Sequence, residues 1–239
     1  MPFAKLPFKL VACYNRTTSF TCRACRCTLR ADNTMSFLIA DPNTGEIVDT
    51  RDLVRTVMSL LDGTHSALRD VVLLGELSIV SKRNRNITVV DPIHHLHKQP
   101  LTLVVPAGKH EVSLVYANGT EHAVAAVVRF GRGVPVTIER AAWTFPFQDC
   151  TRFSLESGVA AIFDYGSAND LGVAKEKEFA ALLGAWSRGA PALVNLPRAR
   201  WNAAVFRVAT EGNGFYSCHW AKDIRGELVA LVVDFATLA

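Results

Sequence analysis

Beyond residue 34 this sequence has almost no cysteine, only Cys150 and Cys218, while Cys13, Cys22, Cys25 and Cys27 crowd into the segment before it. Two thiols do not make a disulfide framework, and a chain of 239 residues buries enough surface to fold without one. The body therefore reads as a protein with reduced thiols, as in the cytoplasm. Long hydrophobic runs are missing too. None approaches the roughly 20 apolar residues of a membrane-spanning helix, so no membrane partner is expected. Catalytic signatures are also lacking. Ser154-Leu155-Glu156-Ser157-Gly158 has no leading glycine of a nucleophile elbow, and Gly131-Arg132-Gly133 leads into neither a helix nor the Lys-Ser/Thr of a phosphate loop. No internal repeat or Gly/Ser/Pro-rich linker divides the chain.

The body lacks a charge excess as well. The formal charge is +4, but residues 1 to 34 hold Lys5, Lys9, Arg16, Arg23, Arg26 and Arg30 against the single acid Asp32. From Met35 onward 20 basic residues face 21 acidic ones. A nucleic-acid partner needs a basic footprint on the folded surface, and this near-neutral body argues against one.

The first 34 residues show no apolar period, no cap and no strand alternation, and read as a disordered extension or a misassigned start. Leu10-Val11-Ala12-Cys13 has the form of a lipoprotein cleavage box, but Lys5 and Lys9 interrupt the apolar stretch that should precede it. Cys22-x-x-Cys25-x-Cys27 with Cys13 offers four thiolates without the second C-x-x-C pair of a zinc site. Neither metal nor cofactor is expected. A single β-rich domain is expected over residues 35 to 239.

What is present from Met35 is mostly strand. Phe37 to Ala40 is apolar and Asp41-Pro42-Asn43-Thr44-Gly45 turns; Asp49 then caps an amphipathic helix through Leu53, Val54, Val57, Leu60 and Leu61 to Gly63. Val71 to Val80, Ile87 to Val90, Leu101 to Val105 and Val112 to Tyr116 read as strands. Asn118-Gly119 predicts a hairpin onto His122 to Phe130, and Val136 to Ala142 continues the sheet. Trp143 to Phe153 reads as a connection, Gly158 to Asp164 as a buried strand. Phe179, Leu182, Leu183 and Trp186 form the stripe of a second helix ended by Gly189. Pro191 to Pro197 reads as a loop and Ala203 to Ala209 as a strand. Gly212-Asn213-Gly214 predicts a tight turn before Phe215-Tyr216. The closing run Leu228 to Phe235 is apolar on both faces, which requires a strand covered on both sides; Asp234 is its anomaly. The fold class expected is α+β and β-rich, an antiparallel sheet sandwich or open barrel with two flanking helices.

Several motifs fall into a familiar order. Leu74-Gly75-Glu76-Leu77, Val89-Val90-Asp91-Pro92, Val105-Pro106-Ala107-Gly108, Phe163-Asp164-Tyr165-Gly166, Gly212-Asn213-Gly214-Phe215-Tyr216 and Val233-Asp234-Phe235 together resemble the bacterial family catalogued as domain of unknown function 4241, over about residues 74 to 236. The resemblance implies a bacterial protein of unassigned activity. Where the family carries an acid between the two turn glycines this chain has Asn213, and Ala221 stands where a glycine usually follows the aromatic pair.

Asp164, Asp170, Asp223 and Asp234 with His219 are the groups that can carry acid, base or cation chemistry if they converge. Against this, an aspartate at a strand end commonly accepts backbone N–H bonds in the next turn. Asp164, Asp234 and His219 are the catalytic candidates; Gly212, Asn213, Gly214, Tyr216, Trp220 and Asp223 are the ligand-binding ones, with Trp201 as a further groove aromatic. His94, His95 and His97 lack a fourth metal ligand. Cys218 and His219 are strand neighbours and point to opposite faces. The leading functional expectation is a non-enzymatic binding or interaction module with a protein or small-molecule ligand. The alternative is a hydrolase or isomerase with an acidic site around the Gly212 to Tyr216 turn. Converging carboxylates in a pocket favour the enzyme, an exposed apolar patch the interaction module.

Overall fold

The computed structural model describes residues 38–40, 47–49, 58–59, 61, 68–80, 85–94, 100–117, 121–143, 151–166, 172–186, 189–195, 202–208 and 214–235. The chain forms two compact units, Met1–Arg51 and Asp52–Ala239. In the first, β1 (Leu38–Ala40) and β2 (Ile47–Asp49) pair antiparallel with Leu38 opposite Asp49. The expected Asp41 to Gly45 turn lies outside the described residues. Asp49, expected to cap a helix, is the last residue of β2.

The second unit is two antiparallel sheets face to face. The larger runs β3 (Leu68–Ile79), β5 (Gly108–Ala117), β6 (Ala123–Arg129), β13 (Leu228–Asp234), β12 (Gly214–Lys222), β7 (Thr137–Arg140), with β8 (Arg152–Leu155) also pairing on β12. The smaller runs β10 (Ala192–Asn195), β11 (Asn202–Arg207), β9 (Val159–Asp164), β4 (Ile87–Val90). Period-two alternation sorts each strand into faces. Leu77, Val112, Leu114, Val128, Trp220, Leu231 and Val233 from the larger sheet meet Val89, Ile162 and Phe206 from the smaller one in a single core.

The central strands of both sheets are covered on their outer faces as well, which explains the continuous apolar strands. Phe179 and Leu183 of the helix α1 (Gly172–Trp186) pack on Val90, Ala161, Phe163 and Val205 of the smaller sheet. Outside the larger sheet, Leu61 packs against a cluster of Val115, Val127, Ile138, Ala221, Ala230 and Val232. The Leu61 carbonyl accepts a hydrogen bond from Arg129 at 2.9 Å. Of the two flanking helices the sequence predicts, α1 is the one of more than a turn among the described residues. Met58, Ser59 and Leu61 are helical, and the other residues of the first predicted helix lie outside the described ones. Trp186, expected on the apolar stripe of α1, is 48% exposed at its end.

Three assignments are corrected. Leu101 to Val105 is not a strand: Leu101 and Val104 form isolated bridges to Trp143 and Asn86, and the Asn86 amide donates to the carbonyls of Leu101 and Leu103 at 2.9 and 3.1 Å, taking acceptors a neighbouring strand would use. Pro191 to Pro197 contains β10, which pairs residue for residue with β11. Arg152 and Phe153, expected at the end of a connection, belong with Ser154 and Leu155 to strand β8 against Gly214 to Ser217. Non-local pairing decides each of these, and four-residue strands carry little period of their own.

Candidate functional site

β12 and β13 carry most of the candidate residues, and the alternation of side chains disperses them. Tyr216, Cys218 and Trp220 point into the inter-sheet core, while Ser217, His219 and Ala221 point to the outer face. On β13, Leu231 and Val233 are inward, so Asp234 faces outward beside Val232. Register sets Asp234 directly opposite Ser217, and His219 opposite Val232 on one side and Arg140 on the other.

The outer face thus gathers Ser217, His219 and Asp234. The Ser217 hydroxyl and His219 Nε2 are 3.0 Å apart. His219 and Asp234 are both almost fully buried. Burial pushes the imidazole pKa down to about 4; the Asp234 carboxylate opposes this and the Arg140 guanidinium reinforces it. His219 is consequently neutral at neutral pH and a weak base. An imidazole that takes a hydroxyl proton efficiently has a pKa near the working pH, about 7, so this one lies far below the catalytic range. On the reverse side of the same strand the Cys218 thiol is fully buried, and burial with the Asp234 charge pushes its pKa well up. It is an inert thiol.

Asp164 is elsewhere. It lies on the inner face of the smaller sheet, next to Phe163, which points out towards α1. Its oxygens accept the Val80 amide at 2.9 Å and the Gly166 amide at 3.1 Å, so it anchors the end of β3 and closes its own turn. Asp164 and Asp234 therefore occupy the inner face of one sheet and the outer face of the other, and the structure does not bring them together. Asp223 starts the β12–β13 hairpin. One of its oxygens accepts the Arg225 and Glu227 amides at 2.8 and 3.0 Å, and Gly226 completes the turn at φ 79°. Six residues of strand separate it from the position opposite Asp234, about 20 Å.

Of the ligand-binding candidates, Trp220 is sealed in the core with its indole N–H unpartnered. Tyr216 packs its ring against Phe153 and Phe235 at 6.0 and 5.5 Å. Gly214, expected in a turn, is the first residue of β12, and a Cβ there would collide with the Tyr216 ring. Gly212, Asn213, Asp170, Trp201, His95 and His97 lie outside the described residues. Among the described residues no group of three or more His, Cys, Asp or Glu is placed to hold a metal ion.

Three polar residues that the sequence reading passed over shape the fold. Asp91, read there as part of a turn, is fully buried and accepts the Ile93, His94, Glu156 and Ser157 amides and the Ser157 hydroxyl. Burial would raise its pKa, but these hydrogen bonds outweigh it and hold the carboxyl below its ordinary value. Asn202 accepts the Ser78 amide and donates to the Glu76 carbonyl, both at 2.8 Å, tying β3 to the smaller sheet. Ser217 is the third, and period two was its signal: Ser217 and His219 are i and i+2 on one strand.

No family model, no curated protein and no solved structure matches the chain. The fold defines the class, an antiparallel two-sheet sandwich flanked by a helix, and among the described residues no helix is long and apolar enough to cross a membrane.

Proposed function

We propose that this chain is a non-enzymatic binding or interaction protein of the bacterial cytosol, and a member of the family of unknown function 4241 that it resembles. The observation that supports this best is the use made of the carboxylates. Asp91, Asp164 and Asp223 each accept two or more backbone N–H groups. These bonds position loops and strand ends and leave no convergent acid pair among them.

A hydrolase is the second reading, and the contact between Ser217 and His219 beside Asp234 is what favours it. It needs Ser217 Oγ to bond an acyl carbon while His219 Nε2 takes the hydroxyl proton and hands it to the leaving alkoxide or amine as the acyl bond to that group breaks, water then freeing the acyl group from Ser217. The low basicity of His219 opposes that step. Incubating the full chain with a fluorophosphonate probe separates the two readings by mass spectrometry. The interaction reading expects no adduct at Ser217; an adduct lost in His219→Gln would establish the hydrolase instead.

A further inference from the structure

β3 ends the larger sheet, and its two halves treat that edge differently. In the second half the edge is closed. The Glu76 carbonyl and the Ser78 and Val80 amides, which point away from β5, are met by the side chains of Asn202 and Asp164. These side chains stand in for a neighbouring strand.

Among the described residues no side chain closes the first half this way. Backbone groups alternate along a strand, so if residues 76 and 78 face outward, 75, 77 and 79 face β5. Their partners on β5 are Val112, His110 and Gly108. Continuing that alternation along β5, Leu114 also faces β3, and Leu114 is opposite Val72. The register shift between Leu73 and Gly75 is what changes the parity. Val71 and Leu73 therefore direct their N–H and C=O groups to the outside.

The side chains there are apolar and open: Val71 is 38% exposed, Val72 46% and Leu73 61%. Val71 and Leu73 extend the outer-face cluster from Val115, which pairs with Val71, while Val72 lies on the other face. A long apolar edge strand invites another strand unless a charge or a proline blocks it. Arg69 and Asp70 supply charge at the start of the strand, but Val71-Val72-Leu73-Leu74 after them has neither. The bulge with Gly75 at φ 136° and the Asn202 bridge limit the free stretch to this half.

We propose that the Val71 to Leu73 stretch of β3 is a docking edge for an extended peptide segment of a partner protein, which adds one strand beside it and covers it with its own apolar side chains. This rests on the interaction reading above and specifies its surface. Size decides between a peptide and a second copy. Three exposed residues present far less than the about 800 Å² per partner that a stable dimer buries. Main-chain hydrogen bonds to Val71 and Leu73 supply affinity, and the alternating apolar contacts supply selectivity.

The test is a selection of peptides from a displayed random library against the full chain, followed by titration of the best synthetic peptide into the isotope-labelled protein. The expected peptides carry apolar residues at alternating positions, and on binding they shift the Val71 and Leu73 amide signals and slow their exchange. Leu73→Lys places a charge at the edge and is expected to weaken binding about tenfold or more. Leu73→Pro removes one outward N–H and has the same effect without breaking the β5 ladder. Binding indifferent to both variants, or a library without binders, overturns the proposal. So does a stable dimer in sedimentation that Leu73→Lys dissolves, since the occupant would then be a second copy. A fluorophosphonate adduct at Ser217 would overturn the non-enzymatic reading while leaving the peptide titration to be judged on its own result.

Discussion

His219 makes the fold sensitive to mild acid, and the size of the effect follows from its surroundings. In the unfolded chain the imidazole titrates at its ordinary value of 6.5, whereas burial beside Arg140 pushes it down to about 4 in the folded chain. Between those values the unfolded chain holds a proton that the folded chain refuses. Stability is therefore full above 6.5, falls as the pH drops below it, and stops falling near 4. The whole contribution is about 3 kcal/mol, of which about 2 kcal/mol is lost between about pH 7 and pH 5. Asp91 does not blur this window. Its carboxyl is held below 3.8, so its contribution persists through the window and is lost only as the pH falls from about 3.8 towards that lowered value. Urea unfolding of the full chain, followed by tryptophan fluorescence, measures the difference. His219→Gln keeps a hydrogen-bonding partner for Ser217 but does not titrate, so it should lack about 2 kcal/mol of the acid-dependent loss. An unchanged pH dependence in His219→Gln, or an NMR midpoint for His219 near 6.5, would refute the reasoning.

Other substitutions probe the remaining polar anchors. Asp91→Asn replaces one acceptor oxygen with a donor among N–H groups that already need acceptors, and should cost about 3 kcal/mol in urea unfolding. Asp234→Asn should cost about 1 to 2 kcal/mol. Because it removes the charge that raises both neighbours, it should also lower the NMR titration midpoint of His219 and the thiol pKa of Cys218. Gly75→Val forces a branched side chain to φ 136° and into the Leu193 side chain, so it should destabilise by on the order of 2 kcal/mol, read as a lower melting temperature.

The sequence by itself determined the strands whose local pattern is strong. Ile87 to Val90 is a strand with the expected bounds, the closing run Leu228 to Phe235 is a strand to Asp234, and the antiparallel pairing of β5 with β6 across the Asn118-Gly119 signal is present. The doubly apolar character of β13 correctly implied cover on both faces. That inference holds because a side chain's polarity and its period of two are local properties, fixed before any partner is chosen. Tertiary structure alone decided what local pattern does not encode. Ala192 to Asn195 is a strand because β11 lies beside it, and Leu101 to Val105 is not one because Asn86 takes its carbonyls. The site residues divide the same way. Period two already separated Cys218 from His219 and made Ser217 its companion. Whether Asp164 joins Asp234 depended instead on which sheet each strand entered and which face it turned outward, and that is set by pairing between residues far apart in the chain.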